Sequence, residues 1–221
     1  MRTSTVGDAR HVGRPEADQV RISAMRQLGN GLHDALRHED ALSVREAELA
    51  TELRLGVLER SMLVTQSNLA NSFQAFGRGE EAIAMCRHVH TREVAIRGGL
   101  SEGALLSAGN LAAFLLSAGK GDEAKAFLSP RIPEATRALG NDHLMTFKFR
   151  RMYAQCLYGN ADSSLDDLTA AVATLGDLDQ RMTRVYGTVH PQTYHTRGRL
   201  KEAREKLARA RARHCQYIHN K

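Results

Sequence analysis

Ser67-Asn68-Leu69-Ala70, followed by Phe73, Gly77, Glu81 and Ala82, returns 42 positions later as Gly109-Asn110-Leu111-Ala112 with Leu115, Gly119, Glu123 and Ala124. A frame shifted back by 41 finds Leu28-Gly29, Leu32, Asp40 and Ala41. A frame shifted on by 41 finds Met152-Tyr153, Cys156 and Leu165. A second mark keeps the same beat: Gly56, Gly98 and Gly140 lie 42 apart, and Gly187 follows after 47. Two marks sharing one period of this length point to stacked supersecondary units, each unable to bury its apolar face alone.

Within a unit the apolar spacing is helical twice over. Leu69, Ala70, Phe73 and Phe76 make one stripe, and Ala82, Ile83, Cys86 and Val89 make the next. The periodic glycines read as helix stops, and Ser61, Ser101 and Asp142 shortly after them read as N-caps. Each unit is therefore helix, tight turn, helix, loop. Ala41, Ala82 and Ala124 open the second helix with a small residue that permits close approach to the first. Leu165 replaces it in unit four, where looser or shifted packing is expected, together with an insertion near 176–180.

Composition agrees with helix. Apolar residues make up 42% of the 221 positions, enough for a continuous core, while aromatics are at 5%, Trp is absent and Pro numbers only 4. No apolar run approaches membrane-spanning length and no apolar segment follows the amino terminus, so a cytoplasmic protein with no membrane contact is expected. Cys86, Cys156 and Cys215 form no C-x-x-C pair and their count is odd, which argues against a disulfide framework. The net charge of +6 is local. Residues 197–221 hold nine Lys or Arg against Glu202 and Glu205, leaving 22 basic against 23 acidic side chains in the rest.

The repeated positions resemble the tetratricopeptide signature: a large residue followed by Gly or Ala, a large residue three on, and Ala nine further. The long period, with Leu139-Gly140-Asn141-Asp142-His143-Leu144-Met145-Thr146 and Tyr186-Gly187-Thr188-Val189-His190-Pro191-Gln192-Thr193, is similar to the Leu-Gly-x-x-His-Pro-x-Thr punctuation of the kinesin light chain subfamily. The resemblance spans about residues 22–200. It departs from the pattern where Gly56 and Gly98 lack a following His, and no sustained heptad segment of a motor subunit is present. It implies an all-α tetratricopeptide-type α-solenoid, a right-handed superhelix of about four helical hairpins plus a C-terminal capping helix. The expected layout is a flexible leader over 1–20, a repeat domain over 21–196 with units at about 22–60, 61–101, 102–141 and 142–188, and a basic capping helix over 191–217.

Stacked hairpins of this family offer a concave groove lined by first helices. By the family's register the groove positions are Arg26, Asn30 and His33; Asn68, Asn71 and Gln74; Asn110, Ala113 and Leu116; and Phe147, Arg150 and Tyr158. An Asn amide both donates and accepts, so it can hold the backbone of an extended peptide, and Arg can grip a carboxylate bidentately. The same Asn residues could instead bridge neighbouring helices. Arg26, Asn30 and Asn68 resemble part of the carboxylate clamp for chaperone tails, but its two further basic positions fall on Leu106 and Asn110, so that ligand is not expected. The expected function is a scaffold or adaptor that binds a peptide or helix of a protein partner, not an enzyme.

No catalytic constellation or cofactor motif competes with this reading. No phosphate-binding glycine loop occurs. His88 and His90 are two apart, about 200° around a helix, so they cannot share a face for a metal, and no metal site is expected. His143 and His190 occupy equivalent punctuation marks and order the loops. Cys86 and Cys156 fall on buried stripes. The basic end carries Leu200, Ala203, Leu207 and Ala210 in one narrow stripe, which fits a cap on the last repeat. The alternative is polyanion binding by Arg204, Lys206, Arg209, Arg211 and Arg213, although nucleic acid is not the expected partner. Self-association through an exposed apolar end is a third reading.

Overall fold

A computed structural model describes residues 15–219. Those residues form ten α-helices joined by short turns. The first four are α1 (Pro15–Asp34), α2 (His38–Arg54), α3 (Glu59–Ala75) and α4 (Gly79–Arg97). They are followed by α5 (Glu102–Ser117), α6 (Gly121–Leu128), α7 (Arg131–Leu139), α8 (Leu144–Tyr158), α9 (Leu165–Tyr186) and α10 (Pro191–His219). The chain divides into two compact units, with the boundary between Ala82 and Ile83 inside α4.

In the first unit α1 packs on α2, α2 on α3, and α1 also touches α3. Ile22, Ala41, Leu42, Leu63, Leu69, Ala70 and Phe73 form its apolar interior, and Ala41 and Ala82 are fully buried. The leader expected over 1–20 falls largely outside the described residues. Its last part is corrected, because residues 15–20 are the first turns of α1. Proline is at home in that first position, where its missing N–H removes no helical hydrogen bond.

The hairpin turns share one geometry. At the end of α3 the Gly77 N–H donates to the Gln74 carbonyl and the Arg78 N–H to the Phe73 carbonyl. Gly119 and Lys120 repeat the pair at the end of α5. This is the Schellman pattern, and its penultimate residue must take a positive φ. Gly77 has φ 85° and Gly119 φ 73°. In the first hairpin the same two bonds are made by Leu36 and Arg37, and Leu36 is held at φ 59° with no glycine to ease it.

In the second unit α5 packs against α6 and α8, α7 against α8, α8 against α9, and α10 against both α9 and α8. Phe147, Ala154, Leu157, Leu168, Ala171, Leu175, Leu178 and Met182 form a core that Leu200, Ala203 and Leu207 of α10 complete. The apolar stripe read on the basic helix therefore closes the last hairpin. That helix runs to His219, past the expected end at 217.

Three local expectations change. The second helix of the third hairpin is broken into α6 and α7 at Ser129-Pro130, where proline removes a helical N–H and crowds the preceding turn. No interruption occurs near 176–180, since α9 is continuous there. The extra length of this hairpin lies partly in the turn at 159–164 and partly in α9 itself. Leu165 consequently starts α9 half-buried, and Leu168 and Ala171 take the interior positions. Among the expected caps, Ser101 accepts from the Ala104 N–H as read, but Ser61 lies inside α3. At α8 the cap is His143, whose Nδ1 accepts from the Met145 N–H, and Asp142 instead faces Arg181 and Arg184. His190 repeats the His143 bond on Gln192 and stacks on Tyr186.

Candidate functional site

In the first unit, the first helices carry two kinds of polar side chain. Arg26 on α1 points inward. Its Nε donates to Glu48 at 2.8 Å, and its Nη2 donates to Glu52 at 2.9 Å and to the Thr65 hydroxyl at 3.1 Å. Both carboxylates come from α2 and are fully buried. Burial raises the Glu52 carboxyl above the usual carboxylate range, and its bonds from Thr65 and Arg26 pull the other way. Buried Arg45 donates to the Asn30 amide oxygen, the Asn68 carbonyl and the Ser72 hydroxyl. Arg26 and Asn30 are thus engaged inside the unit, which corrects their assignment as ligand contacts.

On α3 the outcome differs. Asn68, Asn71 and Gln74 are half-buried. Asn71 makes no hydrogen bond through its amide, and the Gln74 amide oxygen is buried without a partner among the described residues. The Asn71 amide keeps the donor and acceptor capacity that holding a peptide requires, whereas the buried Gln74 oxygen is closed to a ligand.

In the second unit, Asn110 on α5 is likewise half-buried with an unpaired amide. The groove residues assigned on α8 are corrected. Phe147 and Tyr158 are each 1% exposed and belong to the core, so neither offers a surface. Tyr158 directs its hydroxyl to Glu202, and its phenol is raised chiefly by burial. Arg150 is bound to Asp177 at 2.7 Å on α9. A helix turns about 100° per residue, so a register one position off exchanges surface for core.

The outward positions of α8 are Lys148, Arg151 and Gln155, at helical spacing. With His195 and Arg199 of α10 and Ala113, Leu116, Ser117 and Met152 they line a cavity of about 280 Å³. Lys148 runs over Gly109, where a Cβ would stand 2.7 Å from its Nζ. Its pKa is lowered by burial and then by Arg151. Arg151 is lowered by burial and by Arg199, and His195 by burial, Arg151 and Arg199. Arg151 donates to the Gln192 side chain at 2.6 Å and Arg199 to the Tyr158 hydroxyl at 3.4 Å. Among the described residues no carboxylate forms an ion pair with any of the four. Two signals for this cluster stood in the sequence: the 41-residue shift carries Asn110 onto Arg151, and α8 contains no Asp or Glu.

The basic end of α10 is more open. Arg204, Arg209, Arg211 and Arg213 are exposed, while half-buried Lys206 donates to the Tyr158 carbonyl. Arg209 pairs with Glu205 at 3.5 Å. Lys206, Arg209 and Arg213 border a hollow of about 510 Å³ with Asn160 and Ser163.

The remaining titratable groups are structural. His90 is buried, its Nδ1 facing the Ala104 carbonyl and Ser107 hydroxyl and its Nε2 facing Arg131, which also covers the Phe127 ring. Burial and Arg131 lower its pKa. Burial pushes the Cys86 thiol up to about 12 and Cys156 to about 11, so both are inert at neutral pH. Among the described residues no cluster of His, Cys, Asp and Glu could hold a metal, and no helix is long and apolar enough to cross a membrane.

Neither a protein-family model nor a curated protein sequence matches the chain. Solved structures do. A crystal structure described as kinesin light chain nearly identical TPR-like repeats of Podosopora anserina is similar at a TM-score of 0.64 and 20% identity, covering 89% of this chain and 96% of that one. A variant of that protein with a single substitution gives 0.66 and 19% over 95% and 100%. The chain has a tetratricopeptide-like fold. BtubC (BKLC) from P. vanneervenii is similar too, at 0.57 and 16% over 91% of this chain and 84% of that one. The kinesin-light-chain-like punctuation read from the sequence thus agrees with the repeat class of the two Podosopora anserina structures. The tetratricopeptide-like array also accounts for the helix order, in which α1, α3, α5, α8 and α10 are the first helices of successive units.

Proposed function

We propose that the chain is a protein-interaction scaffold whose first helices hold a peptide or helix of a partner protein. The observation that carries this reading is made in each unit by itself. Asn71 on α3 in the first unit and Asn110 on α5 in the second are half-buried first-helix residues whose amides have no partner among the described residues. Their amide atoms are not among the buried unpartnered ones, so they stand open to solvent and free to bond an extended backbone laid along the helix. Tetratricopeptide-like repeats stack into extended binding surfaces, which supports the same use. The adaptor role, the cytoplasmic setting and the absence of catalysis belong to this proposal.

A random peptide display library selected on the immobilised chain tests it. Selected peptides should bind with a Kd of about micromolar, and Asn71→Ala with Asn110→Ala should weaken them roughly tenfold, the worth of one or two lost hydrogen bonds. Peptides that bind the double variant unchanged would place the contact elsewhere.

A second reading rests on the exposed cations at the end of α10 and their hollow: binding of a polyanion through Arg204, Lys206, Arg209, Arg211 and Arg213. Truncating α10 is a poor test, because Leu200, Ala203 and Leu207 complete the core. Replacing Arg209, Arg211 and Arg213 with Gln spares that core. A steeply salt-dependent affinity for DNA or RNA that flattens in this variant would support the reading, and salt-independent or absent binding would end it.

A further inference from the structure

The cavity between α5, α8 and α10 departs from the ordinary handling of charge. Other cations of the second unit have a carboxylate at hand: Lys125 has Asp167, Arg150 has Asp177, and Arg197 has Asp179. Lys148, Arg151 and Arg199 form no ion pair among the described residues, although Arg199 reaches Glu202 through the Tyr158 hydroxyl; they line one small cavity with His195, where Arg151 repels both Lys148 and Arg199. Lys148 is the extreme case. It is half-buried, it makes no hydrogen bond, and its Nζ lies over Gly109, 2.7 Å from where a Cβ would stand. Withdrawing an unpaired cation from water while setting the Arg151 guanidinium beside it destabilises the fold. An anion entering the cavity would reverse that cost.

The lining narrows the kind of anion. Two guanidinium groups and an ammonium match a dianion better than a single carboxylate. They reach the cavity from two helices, so their donors arrive from different directions. A tetrahedral group with three acceptor oxygens can meet such donors together, whereas a planar carboxylate presents two. Ser117 and Gln155 add neutral hydrogen-bonding groups at the rim, and Leu116 and Met152 give an apolar wall. The volume of about 280 Å³ admits a small group and a few atoms of whatever carries it. Lys148, Arg151 and Arg199 are half-buried where the arginines at the end of α10 are exposed, so one localised anion fits them better than a polymer.

We infer that this pocket is a receptor for a phosphoryl dianion presented on a side chain of the bound partner, with Lys148, Arg151 and Arg199 as its ligands. The inference deepens the scaffold reading and rests on it for the source of the group. It makes partner binding conditional on phosphorylation, a recognition mode built on basic side chains.

Calorimetric titration of the full chain at pH 7 and low salt tests it with three small probes: inorganic phosphate, N-acetylphosphoserine amide and N-acetylglutamate amide. The expected result is one saturable site for phosphoserine amide, tighter than for free phosphate and absent for glutamate amide. Lys148→Met should weaken that site at least about tenfold, the worth of one charge-assisted bond. The variant should keep its helical circular dichroism and melt no lower than the parent, because Lys148 makes no bond that the fold needs. Arg199→Gln should reproduce the loss of affinity.

Equal affinity for phosphate and phosphoserine amide would keep the phosphoryl site and overturn its assignment to a partner. Binding of glutamate amide as strong as that of phosphoserine amide, unchanged binding in Lys148→Met, or no saturable binding would overturn the site. None of the three probes requires a peptide partner. Failure here with intact peptide capture would remove only this inference, and phosphoryl binding without peptide capture would remove only the scaffold reading.

Discussion

Replacing Arg26 with Met would remove one guanidinium and leave two carboxylates stranded. Glu48 and Glu52 have side chains 0% and 1% exposed, and each already has one oxygen without a partner. Arg26 supplies a bond to each of them and a third to Thr65. Breaking a buried ion pair from one side costs about 3–5 kcal/mol. The Arg26 side chain is 28% exposed, so water relieves part of the loss and the lower end, about 3 kcal/mol, is the expected value. That is a large share of the roughly 5–15 kcal/mol that holds a domain together.

The pH dependence has a definite sign. Glu52 is already raised above its ordinary value of 4.5 by burial, and removing its cation raises it further. A carboxyl raised in the folded state costs stability at pH above its unfolded value, and that cost fades as the pH falls and the group takes up a proton. Urea unfolding followed by circular dichroism should therefore show the largest gap between variant and parent near pH 7, narrowing toward about pH 5. Adding Glu48→Leu and Glu52→Leu to Arg26→Met should recover most of the loss, because apolar replacement of a whole buried ionic cluster is nearly neutral. A loss under about 1 kcal/mol at neutral pH, or a gap that widens on acidification, would refute the internal counter-ion role.

Leu36→Gly should stabilise the protein by about 0.5–1 kcal/mol, since a left-handed Leu costs roughly 1–2 kcal/mol and part of the gain is returned as glycine entropy. Leu36 is 76% exposed, so little packing is lost, and an unchanged or lower urea midpoint would contradict the strain. Acidification gives a third test through His90, which burial and Arg131 hold below the ordinary 6.5. The unfolded chain takes up this proton first as pH falls. Stability is thus fully present above about pH 6.5 and declines below it, by at most about 1.4 kcal/mol per pH unit for each such histidine. His33 and His195 are lowered as well and act in the same direction. The stability–pH slope between about pH 7 and pH 5 should be shallower in His90→Gln, and an identical slope would show that His90 protonates equally well in the fold.

The repeat made the helices legible. Ala41, Ala82 and Ala124 were placed by a period alone, and all are fully buried. His143 and His190 were read as ordering their loops, and both cap the following helix. What the period could not reveal was how polar side chains pair. Arg26 and Asn30 sit where family register expects ligand contacts, but Glu48, Glu52 and Arg45 come from another helix, and no single-helix pattern encodes that meeting. On α8 the 41-residue shift carries Asn110 onto Arg151, so Phe147, Arg150 and Tyr158 stand off the register that the earlier first helices share, and Phe147 and Tyr158 fall in the core. The break at Pro130 lies inside a unit whose period is unchanged, so the spacing carries no mark of it.

The glycines at the ends of α7 and α9 differ in kind from those in the hairpin turns. Gly140 and Gly187 hold φ near 90° with ψ of 164° and 170°, a region essentially closed to any residue bearing a Cβ. Yet a Cβ built on either would meet nothing within 4 Å. A volume-based scan would score both positions as permissive, although they are among the least replaceable in the chain. The natural splice point for shuffling, inserting or deleting repeats is therefore one residue later than the helix ends suggest. A module cut before its glycine would leave its neighbour to start from a torsion that no other residue can supply.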